Sequence, residues 1–105
     1  MILKGIVASC PIKKITGNIR LINKDNLDNF KKGEILVSFD TNPNYLVIMK
    51  KSKAILTESG GLLSHAAIVS RELNIPCIVG IKNITKKLKT GQLINVNFET
   101  GEVEI

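Results

Sequence analysis

A chain of 105 residues, 44% hydrophobic and 23% charged, has the size and balance of one globular domain spanning residues 1–105, with enough apolar material for a core that needs no metal or disulfide. No run approaches the ~18 apolar residues of a membrane span, and the opening Met1–Ile6 lacks the features of a signal peptide, so a cytoplasmic protein without a membrane partner is expected. The formal charge of +6 raises nucleic-acid binding, but the lysines are scattered in pairs, arginine is limited to Arg20 and Arg71, and aromatics are 4%, so no nucleic-acid partner is expected.

In chain order, residues 2–9 and 14–22 read as strands that pair as a hairpin, with Gly17 marking a bulge or close backbone approach. Residues 24–29 are turn or short-helix material, and residues 34–39 form a third strand. Asp40-Thr41-Asn42-Pro43 starts a helix whose apolar face is Tyr45, Leu46, Ile48 and Met49, ending at Lys50-Lys51. Residues 54–57 are a short apolar strand; a second helix follows from about Ser64 to Leu73, then a buried-type strand at 77–80. Residues 92–98 and 102–105 close the chain as a hairpin around Thr100-Gly101. This order predicts an α/β domain with a mixed sheet. Cys10 and Cys77, with one histidine and no CxxC pair, make neither a zinc nor a dithiol site, so two reduced, largely buried thiols and no metal site are expected.

Chemistry concentrates in residues 57–73. Ser64 suits the N-cap of the second helix, Leu63 and Ile68 stand at its staple positions, and Ala66, Val69 and Leu73 make one apolar stripe. Asn74 can take the left-handed conformation that ends a helix, and Pro76 prevents its continuation. His65, the only histidine, therefore occupies the first helical position just after Gly60-Gly61. That end of a helix favours anions and offers free N–H groups to phosphate oxygens, and a neutral imidazole there can attack phosphorus. The same spacing also fits an ordinary strand-to-helix junction. A Ser64 nucleophile with a histidine base has little support, because adjacent residues at a helix start point apart and no GxSxG elbow is present.

The run from Thr57 through Gly60-Gly61 and Ser64-His65-Ala66-Ala67-Ile68-Val69 to Arg71-Glu72-Leu73 and Ile75-Pro76-Cys77 closely resembles the active-histidine signature of the phosphoenolpyruvate-utilising enzymes. These include phosphoenolpyruvate synthase, pyruvate phosphate dikinase, rifampicin phosphotransferase and enzyme I of the sugar phosphotransferase system. Residues 34–37 with Thr41-Asn42-Pro43 resemble the family's upstream strand and its threonine-x-proline helix start, and Leu3-Lys4-Gly5, Gly91-Gln92 and Gly101-Glu102-Val103 resemble the domain's ends. Many members carry threonine where this chain has Leu63, and leucine there resembles the synthase-like and antibiotic-phosphotransferase-like branches. The resemblance implies the family's swivelling β/β/α phosphohistidine domain, with a mixed sheet and two main helices. It implies that His65 is phosphorylated, that Thr57, Gly60, Gly61, Ser64 and Arg71 support it or bind its phosphate, and that it shuttles phosphoryl between nucleotide-binding and phosphoenolpyruvate- or pyruvate-binding partners. No cluster of carboxylates accompanies His65 and no nucleotide loop is recognisable, so the chain is expected to bind no cofactor, to leave magnesium to the partners, and alone to turn over neither phosphoenolpyruvate nor ATP. The alternative is a non-catalytic regulatory or interaction module that keeps the fold.

Overall fold

The computed structural model describes residues 1–105. Eight strands form one mixed sheet: β1 (Ile2–Lys4), β2 (Ile6–Ser9), β3 (Lys14–Leu21), β4 (Ile35–Ser38), β5 (Ala54–Thr57), β6 (Cys77–Val79), β7 (Leu93–Asn97) and β8 (Glu102–Glu104), in the order β1-β8-β7-β3-β4-β5-β6-β2. The helices are α1 (Leu46–Lys51), α2 (His65–Leu73) and α3 (Ile84–Lys87), with 3₁₀ turns at Leu27–Asn29 and Pro43–Tyr45.

Strand β3 bends the sheet into two layers. Its first half, Lys14–Asn18, pairs antiparallel with β7, while Ile19–Leu21 pair parallel with β4. β4 and β5 are buried at every position, because the two faces of a strand in the middle layer enter different cores. Ile35, Val37, Ala54, Leu56 and Ile78 point toward the β3–β7–β8 layer and meet Ile15, Ile94, Val96, Phe98 and Val103. Leu36, Ile55, Cys77 and Val79 point the other way, onto Ile48 and Met49 of α1 and Ala66 and Ala67 of α2. The outer strand β7 alternates exposed and buried, as one dry face requires. The architecture is thus the expected α/β arrangement of two β layers and one helical layer.

The first two predicted strands do not pair with each other. Residues 2–9 break at Gly5 into β1, which pairs with β8 at one edge of the sheet, and β2, which pairs with β6 at the other. The break follows from close packing: a Cβ on Gly5 would stand 2.6 Å from Ile81 Cγ1 and from the Val79 carbonyl oxygen. Gly5 N–H donates to the Gly101 carbonyl at 3.0 Å, and Gly101, at φ +82°, has no room for a Cβ against the Gly5 oxygen. The two chain ends lie side by side, Ile105 N–H donating to the Met1 carbonyl at 3.0 Å. At Gly17 a Cβ would come 3.1 Å from Ile35 Cδ1, so the close approach expected there is present. The short α3 was not expected, and Cys10 is exposed where burial was expected. Cys77 is buried under α2, and burial pushes its thiol up to about 11, which leaves it protonated and unreactive at neutral pH.

One ion pair staples β3 to β4. Arg20 donates from Nε and Nη2 to the two carboxylate oxygens of Glu34, at 2.8 and 3.0 Å, and the Lys31 N–H adds a 2.6 Å bond to the same carboxylate. Burial pushes the Glu34 carboxyl up, but the Arg20 and Lys31 hydrogen bonds and charges outweigh it and hold the group below the usual range. A lowered folded-state value gives stability that is present above the unfolded pKa of ~4.3 and lost as pH falls through the folded value. Urea unfolding of Glu34→Gln should therefore show a deficit of roughly 1–2 kcal/mol at pH 7 that shrinks below pH ~4. A deficit that stays constant down to pH ~2 would contradict the assignment.

Candidate functional site

The C-terminal ends of the parallel strands hold the site. The register that sets Ser38 of β4 opposite Thr57 of β5 places the two following loops at one level. From the first, Thr41 reaches across to His65, its Oγ1 lying 2.8 Å from Nδ1. Thr41 is buried and the histidine half-buried, so the contact is shielded while part of the ring stays accessible. The sequence marked Thr41 only as part of a helix start, and the signal that singles it out is its place in Thr41-x-Pro43.

His65 opens α2, as expected, with Ser64 as N-cap: Ser64 Oγ accepts from Ala67 N–H at 3.4 Å and donates to the Gly61 carbonyl at 2.8 Å. Asn74 ends the helix in the left-handed conformation, φ 56°. The expected staple is not formed, since Leu63 is 87% and Ile68 42% exposed. With Leu62, which is about half exposed, they leave apolar side chains uncovered on the loop and first turns that carry the histidine.

The remaining candidates divide between holding the loop and leaving room. Thr57 is fully buried and its hydroxyl donates to the Ser59 carbonyl at 2.8 Å, turning the chain out of β5. Gly60 sits at φ +100° with its missing Cβ 2.9 Å from Ser64 Cβ and Oγ, so glycine is required there twice over. At Gly61 a Cβ would meet nothing within 4 Å, which leaves open space in front of the loop. Arg71 is engaged with backbone: Nη1 donates to the Ala8 carbonyl at 3.3 Å and Nη2 to the Leu62 carbonyl at 2.8 Å, clamping the loop to β2. Thus Thr41 and His65 converge, while Ser64 caps the helix and Thr57, Gly60 and Arg71 shape the loop behind them.

The arrangement has relatives. The family described as "PEP-utilising enzyme, mobile domain" matches residues 30–101. Phosphoenolpyruvate synthase of Pyrococcus furiosus is 49% identical over 104 residues, which cover 98% of this chain and 12% of that protein. The chain therefore spans about an eighth of the length of that relative. Among solved structures, an NMR structure of Enzyme I matches with a TM-score of 0.62 and 34% identity over 74% of this chain and 32% of the other. A chain of aconitase X from Thermococcus kodakaraensis shares the fold alone, with a TM-score of 0.72 and 22% identity over 100% of this chain and 98% of that one. With the family match covering residues 30–101 and the synthase relative matching over 98% of this chain, the chain belongs to the mobile domains of the phosphoenolpyruvate-utilising enzymes.

Proposed function

We propose that this chain is a phosphohistidine carrier, in which Nε2 of His65 takes a phosphoryl group at one active site and delivers it at another. The observation that carries this reading is the 2.8 Å contact between Thr41 Oγ1 and His65 Nδ1 at the first position of α2. The tautomer assigned in this reading has Nδ1–H donating to the threonine oxygen, which leaves the lone pair of the neutral ring on Nε2, where it can attack phosphorus. The new N–P bond forms as the bond from phosphorus to the donor's oxygen breaks, and the reverse displacement delivers the group to the acceptor. The first N–H groups of α2 have no intrahelical acceptor, and the helix end favours the dianion that arrives.

The partners in this reading are nucleotide-binding and phosphoenolpyruvate- or pyruvate-binding domains, which meet the exposed apolar side chains of Leu62, Leu63 and Ile68 around the start of α2. Magnesium is assigned to those partners. The Thr41 hydroxyl against His65 is not the carboxylate-rich oxygen set that holds a divalent cation, so no step here runs through a metal.

The test supplies the chain to a phosphoenolpyruvate synthase whose own mobile-domain histidine has been replaced, with labelled phosphoenolpyruvate. An acid-labile, alkali-stable adduct on this chain is expected, and it should vanish in His65→Ala. Label that persists in His65→Ala, or no label on the wild-type chain, would sink the reading.

A further inference from the structure

Glu58 lies where both halves of the Thr41–His65 pair are anchored. Its N–H donates to the Ser38 carbonyl at 3.0 Å, and the next N–H, of Ser59, donates to the Phe39 carbonyl at 2.8 Å. Ser38 and Phe39 lead directly into Thr41, while Glu58 and Ser59 open the loop that ends at His65. The Glu58 side chain leaves this junction for the far side: one carboxylate oxygen accepts from Thr85 N–H at 3.1 Å and from Thr85 Oγ1 at 2.6 Å. Thr85 belongs to α3, whose Ile84, like the preceding Ile81, is fully buried in the core between the two β layers. Ile81 N–H also donates to the Thr57 carbonyl at 3.0 Å, so the strand end and α3 are tied at two neighbouring points.

We propose that Glu58 is a positioning residue for His65: its carboxylate latches the Thr57–Ser64 loop to α3 through Thr85 and thereby holds the imidazole in register with Thr41. Bonds to a carboxylate are about twice as strong as neutral ones, and the hydrogen bond from Thr85, the largest influence on it, keeps the Glu58 carboxyl below the usual range, so the latch is charged at neutral pH. α3 has no side-chain cap of its own from Asn83, and the carboxylate supplies an acceptor in its place. The inference rests on His65 being the reactive group, but its test reads the ring directly.

The experiment follows the 15N signals of the His65 ring, and the rate at which phosphoramidate phosphorylates it, in the isolated chain. In that reaction Nε2 forms its bond to phosphorus as the P–N bond to ammonia breaks. Glu58→Ala and Thr85→Val should each move the ring away from a single Nδ1–H tautomer and slow phosphorylation about three- to tenfold. Glu58→Gln keeps an acceptor oxygen but loses the charge, and should fall between wild type and Glu58→Ala. Glu34→Gln serves as a control that loses stability far from the loop, and it should leave ring and rate unchanged. If Glu58→Ala fails to fold, Thr85→Val decides alone. Wild-type ring signals and rate in a folded latch variant, or the same ring shift in Glu34→Gln, would overturn the proposal. A wild-type chain that phosphoramidate does not label would count against the carrier reading, while the ring signals would still judge the latch.

Discussion

Replacing Gly5 with alanine is expected to destabilise this domain severely. The added carbon would lie 2.6 Å from both Ile81 Cγ1 and the Val79 carbonyl oxygen and 2.8 Å from Ile78 Cγ2. The Val79 oxygen is backbone of β6, and Ile78 and Ile81 are fully buried, so nothing around the methyl has slack. Overpacking usually costs 1–3 kcal/mol, and a backbone obstacle puts Gly5→Ala at or above the top of that range. For a domain of this size, about 3 kcal/mol is a fall in Tm of roughly 15 °C. Gly101→Ala strikes the same crossing from the other side, against the Gly5 carbonyl, and adds the strain of φ +82°. Because the two share one contact, the double variant should lose less than the sum. Thermal unfolding followed by circular dichroism checks all three; a Gly5→Ala chain melting within a few degrees of wild type would show that the crossing is not tightly packed.

Thr41→Val should leave the fold standing and damage the chemistry. Valine fills the same buried site and gives up only the hydroxyl's hydrogen bond, so the stability change should be about 1 kcal/mol. What is lost is the oxygen 2.8 Å from His65 Nδ1. Without it the ring is free to exchange tautomers and rotate, and the fraction with the lone pair on Nε2 falls. A hydrogen bond worth about 1.4 kcal/mol corresponds to roughly a tenfold slower phosphorylation. Treatment with phosphoramidate should give one phosphohistidine isomer, at Nε2, in the wild type and a mixture of isomers in Thr41→Val, with Thr41→Ser restoring the single product. Phosphorus NMR distinguishes the isomers. Equal rates and one isomer in wild type and Thr41→Val would mean that the threonine does not select the tautomer.

Local chemistry was readable and distant partnership was not. Ser64, Asn74 and Pro76 mark the limits of α2 because capping and left-handed termination depend on neighbouring residues, and all three do what their types suggest. The apolar run at 77–80 announced burial, and β6 is buried at every position. Nothing within residues 2–9 reveals that the strand is cut in two and sent to opposite edges, because the obstacle at Gly5 is set by Ile78, Val79 and Ile81, more than seventy positions away. Thr41 was hidden for the same reason: its hydroxyl meets a ring 24 residues on, through a register between β4 and β5 that no short window contains. The likeness to the synthases identified His65 but not the arrangement behind it, in which Arg71 grips backbone carbonyls of β2 and the loop.

The pairing of the two ends has a mechanical consequence. β1 and β8 run antiparallel with Ile2 opposite Glu104, so the first and last residues sit at the same end of one two-stranded ribbon. A pull applied between Met1 and Ile105 loads the rungs of that ribbon one at a time, beginning with the Ile105–Met1 bond, so that they peel in sequence instead of shearing together. Behind them stands the crossing at Gly5, where Gly101 and β6 pin the chain. Tension on both ends would thus open a short elastic tether of about three residue pairs and stop there, leaving the half of the molecule that carries His65 without strain.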